Sequence, residues 1–485
     1  VARPGNTIQD SAIAAAAAQG SRSGRWFVVD FAEKGPTGPF EVNSLSQFTG
    51  VYGGKVAWSF LADAAEVFFG RGGKSMIISR ELGPAPVRAS HMLAGSSGNT
   101  LQVLAKSAGA WGNALQVEVV VDTGVATINI YDAANNLIDS SLPQATEQAL
   151  IDWSASSSYV DVVDQSGTGL PVALAKAALT GGDDDHVNGT DATAKAALDL
   201  FTKDLGPGTV TMLGRTTAQA HADTRAHCAA NNRRGVMDLV DTATKSTLKS
   251  ATAPQRIAAD SGKAAVFTPW VKIAGTAPGT TRTLPPSPFV AAAIARNDAK
   301  NSPNVPVAGP ETGLLGQIVG LTVSWTDDDT QELSCPELTF STHGSINVLR
   351  VIDGVPQIYG NRTLTDPITD KVDLQLSNVR FDMFIDDLLG RTARGFVFRP
   401  IDGKGHQVAA YENALAGELA IYYADDSLFG DTAEDAFHVE TDSVNDTDTA
   451  AAGQLIADVS YKRTPGAEEV VTRITRVAVD QPIAA

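Results

Sequence analysis

At 485 residues the chain exceeds one ordinary domain, and 43% hydrophobic against 19% charged residues describe a folded protein of roughly two to four domains. Its 37 basic and 55 acidic residues leave a formal charge of -18, which repels phosphate backbones and anionic lipid and argues against nucleic acid or a membrane as partner. Cys228 and Cys335 lie far apart with no His cluster beside them, so neither a disulfide framework nor a zinc site is indicated and both read as buried thiols.

Residues 1–24 have one short strand-capable piece, Thr7-Ile8-Gln9-Asp10, an Ala run, and a Gly/Ser-bounded linker from Gly20 to Gly24, and they read as an arm. The Ala run lacks the basic start of a secretion signal, and no apolar run approaches the ~20 residues of a membrane span, so folding in the cytoplasm is expected. Arg25 to Asp30 is a strand pattern, Trp58 to Phe69 places Phe60, Leu61, Ala64, Ala65 and Phe68 at helical spacing, and Ser75 to Ser79 reads as a buried strand. This strand, helix, strand order predicts a parallel sheet.

From about 87 to 186 the rhythm becomes alternating runs between Gly/Asn/Asp turns, as at Leu115-Gln116-Val117-Glu118-Val119, and predicts a mostly β insertion. Beyond it, Thr209 to Leu213, Val236 to Val240 and Ala264 to Phe267 read as buried strands, with helices near Asp191 to Leu200 and Thr217 to Ala230. The expected organisation is an α/β domain over 25–86 and 187–360, interrupted by the 87–186 insertion, then an α+β domain over 361–464 and a second arm over 465–485. In the α+β domain, helices are expected at Phe381 to Arg394 and His406 to Tyr423 and a strand at Leu455 to Tyr461, and in the second arm Glu468 to Val477 is strand-like. Residues 425–448 hold nine acids and no Lys or Arg; they read as a solvated loop, with complementarity to a basic patch on a neighbouring subunit as the alternative.

Two stretches imitate chemistry. Gly70-Arg71-Gly72-Gly73-Lys74-Ser75 resembles a P-loop, but position 68, which must be Gly, is Phe68, and Met76 to Ser79 is strand-like where a helix should open. Gly182-Asp183-Asp184-Asp185-His186 suggests a metal site, yet consecutive acids alternate direction in extended chain, so it reads as a solvated turn, as does Asp327-Asp328-Asp329. No cofactor and no metal is expected.

Several islands, in order, resemble contractile tail sheath proteins, the polymerising jackets of myophage tails and contractile injection machines. Arg3-Pro4-Gly5 through Ile8 is similar to the sheath arm, Phe69 to Ser75 to the "FFxNGG" turn, Ala110-Trp111-Gly112-Asn113 to "GxWGN" and Thr180-Gly181-Gly182-Asp183 to "LxGGxDG". Pro285 to Ala291 with Ile294 to Asp298 resembles "PPSGxVAGxxAxxD", and Ser345 to Arg350 with Tyr359 to Leu364 resembles "GINxIR…WGxRTL". Pro288, Tyr359 and Ser345 depart from that pattern, where Gly, Trp and Gly are usual.

The resemblance implies a structural subunit and no enzyme: hexameric rings stacked helically around a tail tube, meeting baseplate and tail terminator proteins. Such a sheath contracts to drive the tube through a host envelope, is assembled in the host cytoplasm and sits in the virion tail. An extracellular contractile injection system is the alternative setting, and an α/β hydrolase-like enzyme the alternative class. By the same resemblance, Thr7, Ile8, Gln9 and Asp10, with Val470, Val471, Thr472 and Ile474, would add strands to neighbouring subunits, hinged at Gly20 to Gly24 and at Thr464 to Gly466. The helix near 381–394 leaves Arg380, Arg391 and Arg394 off its apolar face, as candidate tube contacts. The family's middle domain is described as subtilisin-like, which raises a Ser/His/Asp site. His221, Asp223 and His227 fall on one expected helix, but no Gly-x-Ser-x-Gly elbow follows a strand.

Overall fold

The computed structural model describes residues 22–249, 261–334, 344–365 and 372–468. Thr7, Ile8, Gln9, Asp10, Val470, Val471, Thr472, Ile474 and Cys335 lie outside them. The chain divides into two compact units, 1–303 with 307–390, and 304–306 with 391–485.

The first unit is built on an eight-stranded sheet. Its strand β1 (Trp26–Asp30) is followed by β2 (Phe40–Val42) and β3 (Met76–Arg80). All five residues of β1 are buried because β1 lies between parallel neighbours with helices on both faces. Side chains alternate across the strand: Trp26 and Val28 pack with Leu61, Ala64, Phe68, Ala291 and Ala295, whereas Phe27 and Val29 pack with Ala194, Leu198, Phe201 and Ala220. Helices Leu61–Gly70 and Ser287–Asp298 therefore cover one face, and Asp191–Asp199 and Ala218–Asn231 the other.

Between β3 and the next sheet strand come β4 (Ser90–Ala94), β5 (Asn99–Ala105), β6 (Gln116–Asp122), β7 (Val125–Tyr131), β8 (Leu137–Ser140), β9 (Val160–Asp164) and β10 (Leu174–Ala178). They form two antiparallel sheets, β4-β5-β9 and β10-β6-β7-β8, around Leu93, Leu101, Val103, Val117, Ile128, Ile130 and Val160. The neck of this insertion is closed by the bridges Val87–Asp183 and Ser90–Thr180. Asn113 locks it further: its amide donates to the Gly182 carbonyl (2.9 Å) and its side-chain oxygen accepts from the Gly182 N–H (2.8 Å). A Cβ on Gly182 would lie 2.5 Å from the Gly109 carbonyl oxygen, and one on Gly112 would lie 2.6 Å from Ala105 Cβ, so the backbones approach too closely for any larger residue.

The sheet resumes with β11 (Thr209–Met212), β12 (Arg234–Asp238) and β13 (Ala264–Thr268). A small sheet of β14 (Val271–Ala274), β15 (Thr281–Leu284) and β16 (Gly320–Leu321) intervenes before β17 (Ile346–Ile352) and β18 (Val355–Tyr359). The strand order is β18-β17-β13-β12-β11-β1-β3-β2, parallel from β17 to β3 and antiparallel at both edges. This is a doubly wound sheet whose direction of winding switches between β1 and β11. Helix Ser287–Asp298 is buried along nearly its whole length, with Pro288 in its first turn, where no N–H is needed.

The tail of helix Leu376–Arg394 leads into the second unit, where helix His406–Ala424 packs Leu415 and Leu419 inward. A hairpin of β19 (Phe437–Glu440) and β20 (Asp458–Tyr461) follows, pairing Phe437 with Tyr461 and Glu440 with Asp458. The acidic stretch is more ordered than a solvated loop: Thr432 caps the turn Ala433–Ala436, and Asp446 caps Thr447–Ala451 through the amides of Asp448 and Thr449. Asp327-Asp328-Asp329 likewise is not a turn but the first turn of helix Asp327–Ser334. There the carboxylates face the positive helix end, and Asp329 pairs with Lys245 (2.8 Å).

Candidate functional site

In a doubly wound sheet a ligand site is sought outside the carboxyl ends of the strands, near the switch point. Here that edge is occupied by the protein itself. Asp30, ending β1, accepts from the N–H of Phe31 (2.8 Å), the N–H of Phe60 (2.9 Å) and the Ser59 hydroxyl (2.9 Å), which fixes the start of helix Leu61–Gly70. Asp238, ending β12, accepts from the Ser287 N–H (2.9 Å) and hydroxyl (2.7 Å) and from the Gly214 N–H (3.1 Å), fixing the start of helix Ser287–Asp298. Burial pushes Asp30 up to about 7 and Asp238 up to about 6. Perturbed carboxylates of this kind mark active sites in many enzymes, but these two spend their lone pairs on helix starts.

The expected histidines do not assemble a triad. His221 Nε2 lies 3.0 Å from the Asp238 backbone oxygen, and His227 Nε2 lies 3.0 Å from Arg233 Nη1; burial lowers each to about 4. Among the described residues neither ring is bonded to a serine hydroxyl, and Ser287 gives its proton to Asp238 rather than to a base. Around Arg71 to Gly73 the amides are committed: Gly72 N–H donates to Phe69 O (3.2 Å) and Gly73 N–H to Phe68 O (2.9 Å), closing the end of a helix where a phosphate cradle needs open donors.

Asp183, Asp184 and His186 do converge, with one ligand atom from each within 4.8 Å of the others. Asp184 is nevertheless shared between His186 Nδ1 (2.7 Å) and the fully buried guanidinium of Arg80 (3.8 Å). Arg80 also donates to the carbonyls of Ala32, Gly35 and Ala108, and His186 stacks on Trp58 at 4.2 Å. A fixed cation already supplies the charge that a metal would bring, and the cluster fastens β3 to the neck.

Of the candidate tube contacts, Arg380 is corrected. It is 1% exposed and paired with Asp298, which also accepts from the Ser23 hydroxyl (2.6 Å). The helix buries every residue from Leu376 to Phe381, so no face there is left to a charged side chain. Arg391 is half-buried and Arg394 exposed. The expected hinge at Gly20 to Gly24 is corrected in its second half for the same reason: Ser23 is fully buried, and a Cβ on Gly24 would meet Ala295 Cα at 3.3 Å, so the chain is anchored from residue 22 onward. Sequence reasoning missed this Ser23, Asp298, Arg380 cluster because its members are far apart in the chain.

The second unit offers a different kind of site. Among its described residues the β19–β20 sheet has two strands, and the edge of such a sheet is the kind of surface to which a further strand adds. A two-stranded hairpin is marginal alone, and here β19 packs against helix His406–Ala424, with Val439, Ala436, Leu415, Leu419 and Leu428 all buried.

No family model and no curated protein matches this sequence. Solved structures do. A chain of the anti-feeding prophage baseplate superposes with a TM-score of 0.56 at 15% identity, over 99% of this chain and 100% of that one. The sheath tail protein of Desulfitobacterium hafniense gives 0.57 at 14% identity, over 91% and 94%. The contracted sheath of an extracellular contractile injection system gives 0.51 at 16%, over 98% of both chains. The chain has the fold of the contractile tail sheath proteins.

Within that sheath fold the sequence islands turn out to be structural pins. Ala110 to Asn113 and Thr180 to Asp183 meet at the neck through Asn113 and Gly182. Pro285 to Asp298 includes the buried helix, and Ser345 to Leu364 spans β17 and β18, with Asn347 donating to Val266 O (3.1 Å) and Arg362 O (2.8 Å).

Proposed function

We propose that this chain is the structural subunit of a contractile sheath, polymerising as stacked hexameric rings around a tail tube and contracting to drive the tube through an envelope. The observation that carries the reading is the end-to-end match to sheath chains, second unit included, at 98–99% coverage of this chain for several of them. The filled carboxyl edge of the sheet supports a mechanical rather than a catalytic role, and the hydrolase alternative gains nothing from it.

In this reading Thr7 to Asp10 of one neighbour and Val470 to Ile474 of another add strands to β19–β20, building a mesh by main-chain hydrogen bonds. Contraction then moves between two packings of the mesh without dissociation, the energy having been stored at assembly. Arg391 and Arg394 face the tube, baseplate and terminator proteins bound the ends, and the central body carries the subtilisin-like relationship that the resemblance implies. A phage tail and an extracellular injection particle are both compatible with the likenesses; capsid and terminase genes beside this one select the first, and toxin genes without capsid the second.

Removing residues 1–21 tests the strand exchange. The truncated chain should keep the melting temperature of the full chain and sediment as a subunit where the full chain forms polymer. Unchanged polymerisation after the truncation sinks the N-terminal half of the mesh.

A further inference from the structure

The second unit carries two exposed patches of opposite charge at opposite ends of helix His406–Ala424. At the first end is the connection from the preceding helix, residues 395–405, with Arg399 and Lys404 against the single acid Asp402. Asp402 is committed to the amides of Lys404, His406 and Gln407 (2.9, 3.2 and 3.0 Å), so the connection presents net positive charge. Phe396 turns inward onto Tyr411, with ring centroids 5.0 Å apart, while Val397 and Phe398 are 57% and 102% exposed. Phe398 has φ 65°, a left-handed backbone that a bulky side chain rarely adopts, and it holds the ring out into solvent.

At the other end, Ile421 and Phe429 are 60% and 58% exposed. The chain folds back between them, the amides of Ser427 and Leu428 returning to the Tyr422 carbonyl (2.9 and 3.2 Å). Asp425, Asp426, Asp431 and Glu434 of this end are exposed; with Asp435, which pairs with Lys462, these acids outnumber the basic Arg391 near Tyr422, Lys462, and Arg463 bridged to Leu428. Phe396, beside the tip, packs on Tyr411, and Tyr411 and Ile421 are ten positions apart on one helix, about 15 Å at 1.5 Å per residue, so the tip and the patch of its own unit are separated along the helix.

Resting on the sheath reading, we propose that these surfaces meet between copies: the Val397-Phe398-Arg399 tip of one subunit seats on the Ile421/Phe429 patch of the next, with Arg399 and Lys404 against Asp425, Asp426 and Asp431. The occupant is a second copy because the matching charge and the matching apolar surface are both on this chain. Two different surfaces in contact make a heterologous interface, which propagates into rings or helices instead of closing as a dimer. An aromatic anchor within a charged rim is the usual anatomy of an energetic hot spot, and the rim makes the contact salt-sensitive.

The test uses the full chain and compares wild type with Phe398→Gly, with the reversal Arg399→Glu/Lys404→Glu, with Asp425→Lys/Asp431→Lys, and with both reversals in one chain. Glycine suits the left-handed backbone at 398, so that variant should fold at least as stably as wild type, which thermal melting checks. In sedimentation, Phe398→Gly and each separate reversal should raise the concentration needed for polymer by about tenfold or more, and the chain with both reversals should regain most of it. Variants that polymerise at the wild-type concentration, or a double reversal no better than the single ones, overturn the contact and leave the sheath reading standing. Loss confined to tube attachment also overturns it. A wild-type chain that forms no polymer refutes the sheath reading itself.

Discussion

Replacing Arg380 with methionine should loosen the core of the first unit, not a surface. The Asp298 side chain is 1% exposed and, among the described residues, would keep only the Ser23 hydroxyl as partner. Removing one member of a buried pair typically costs about 3–5 kcal/mol, because the remaining charge is left without compensation in a poorly solvated place. Hydrogen exchange of the amides in Ser287–Asp298 and Leu376–Ile385 reads that loss locally. A factor of ten for each ~1.4 kcal/mol predicts exchange faster by about a hundredfold to a few thousandfold in those helices. Strands β6 and β7 of the insertion should exchange as in wild type. The double variant Arg380→Met/Asp298→Leu should recover most of the protection, since a buried ion pair exchanged for apolar groups is often nearly neutral. Unchanged exchange in Arg380→Met, or weakened attachment to a tube with unchanged exchange, refutes the buried placement and returns Arg380 to the surface.

Burial holds His221 at about 4, below its ordinary 6.5, so its neutral form contributes stability that is present above 6.5 and lost as pH falls toward 4. His227 acts in the same direction and the raised Asp30 and Asp238 oppose it, so the difference between wild type and His221→Gln is the informative quantity. In denaturant titrations the variant should lose about 2–3 kcal/mol less than wild type between about pH 7 and pH 4.5, and identical pH profiles would remove the assignment. Gly182→Ala places a methyl 2.5 Å from the Gly109 carbonyl oxygen and should cost about 1–3 kcal/mol by overpacking, read as earlier proteolytic clipping at the neck; equal resistance would show that the neck can relax.

The parallel core was legible because strands covered on both faces are apolar without interruption, as in Trp26-Phe27-Val28-Val29, and the helices because Leu61, Ala64, Ala65 and Phe68 recur at one face. Alternation along β7 likewise exposed the insertion's strands, with Ala126, Ile128 and Ile130 inward. Which strands share a sheet was not legible, since β5 pairs with β9 across more than fifty residues and nothing local encodes it. Buried charges were misread for a related reason. Helical periodicity placed Arg380 off the apolar face, but its partner Asp298 is 82 residues away. Arg80, one residue past the expected strand Ser75 to Ser79, carried no signal of burial in the sequence, yet it donates to three carbonyls in the core. Three successive aspartates suggested a solvated turn, but Thr326 and Asp329 cap each other's backbone amides to start a helix, with Lys245 and Arg350 facing Asp329 and Asp327.

Tail sheath assembly is the central claim, and imaging the purified chain by negative-stain electron microscopy, alone and together with the tube protein encoded beside it, tests it most directly. Hollow cylinders with a regular cross-striation, in either sample, are the predicted result. A uniform small particle in both would contradict the account.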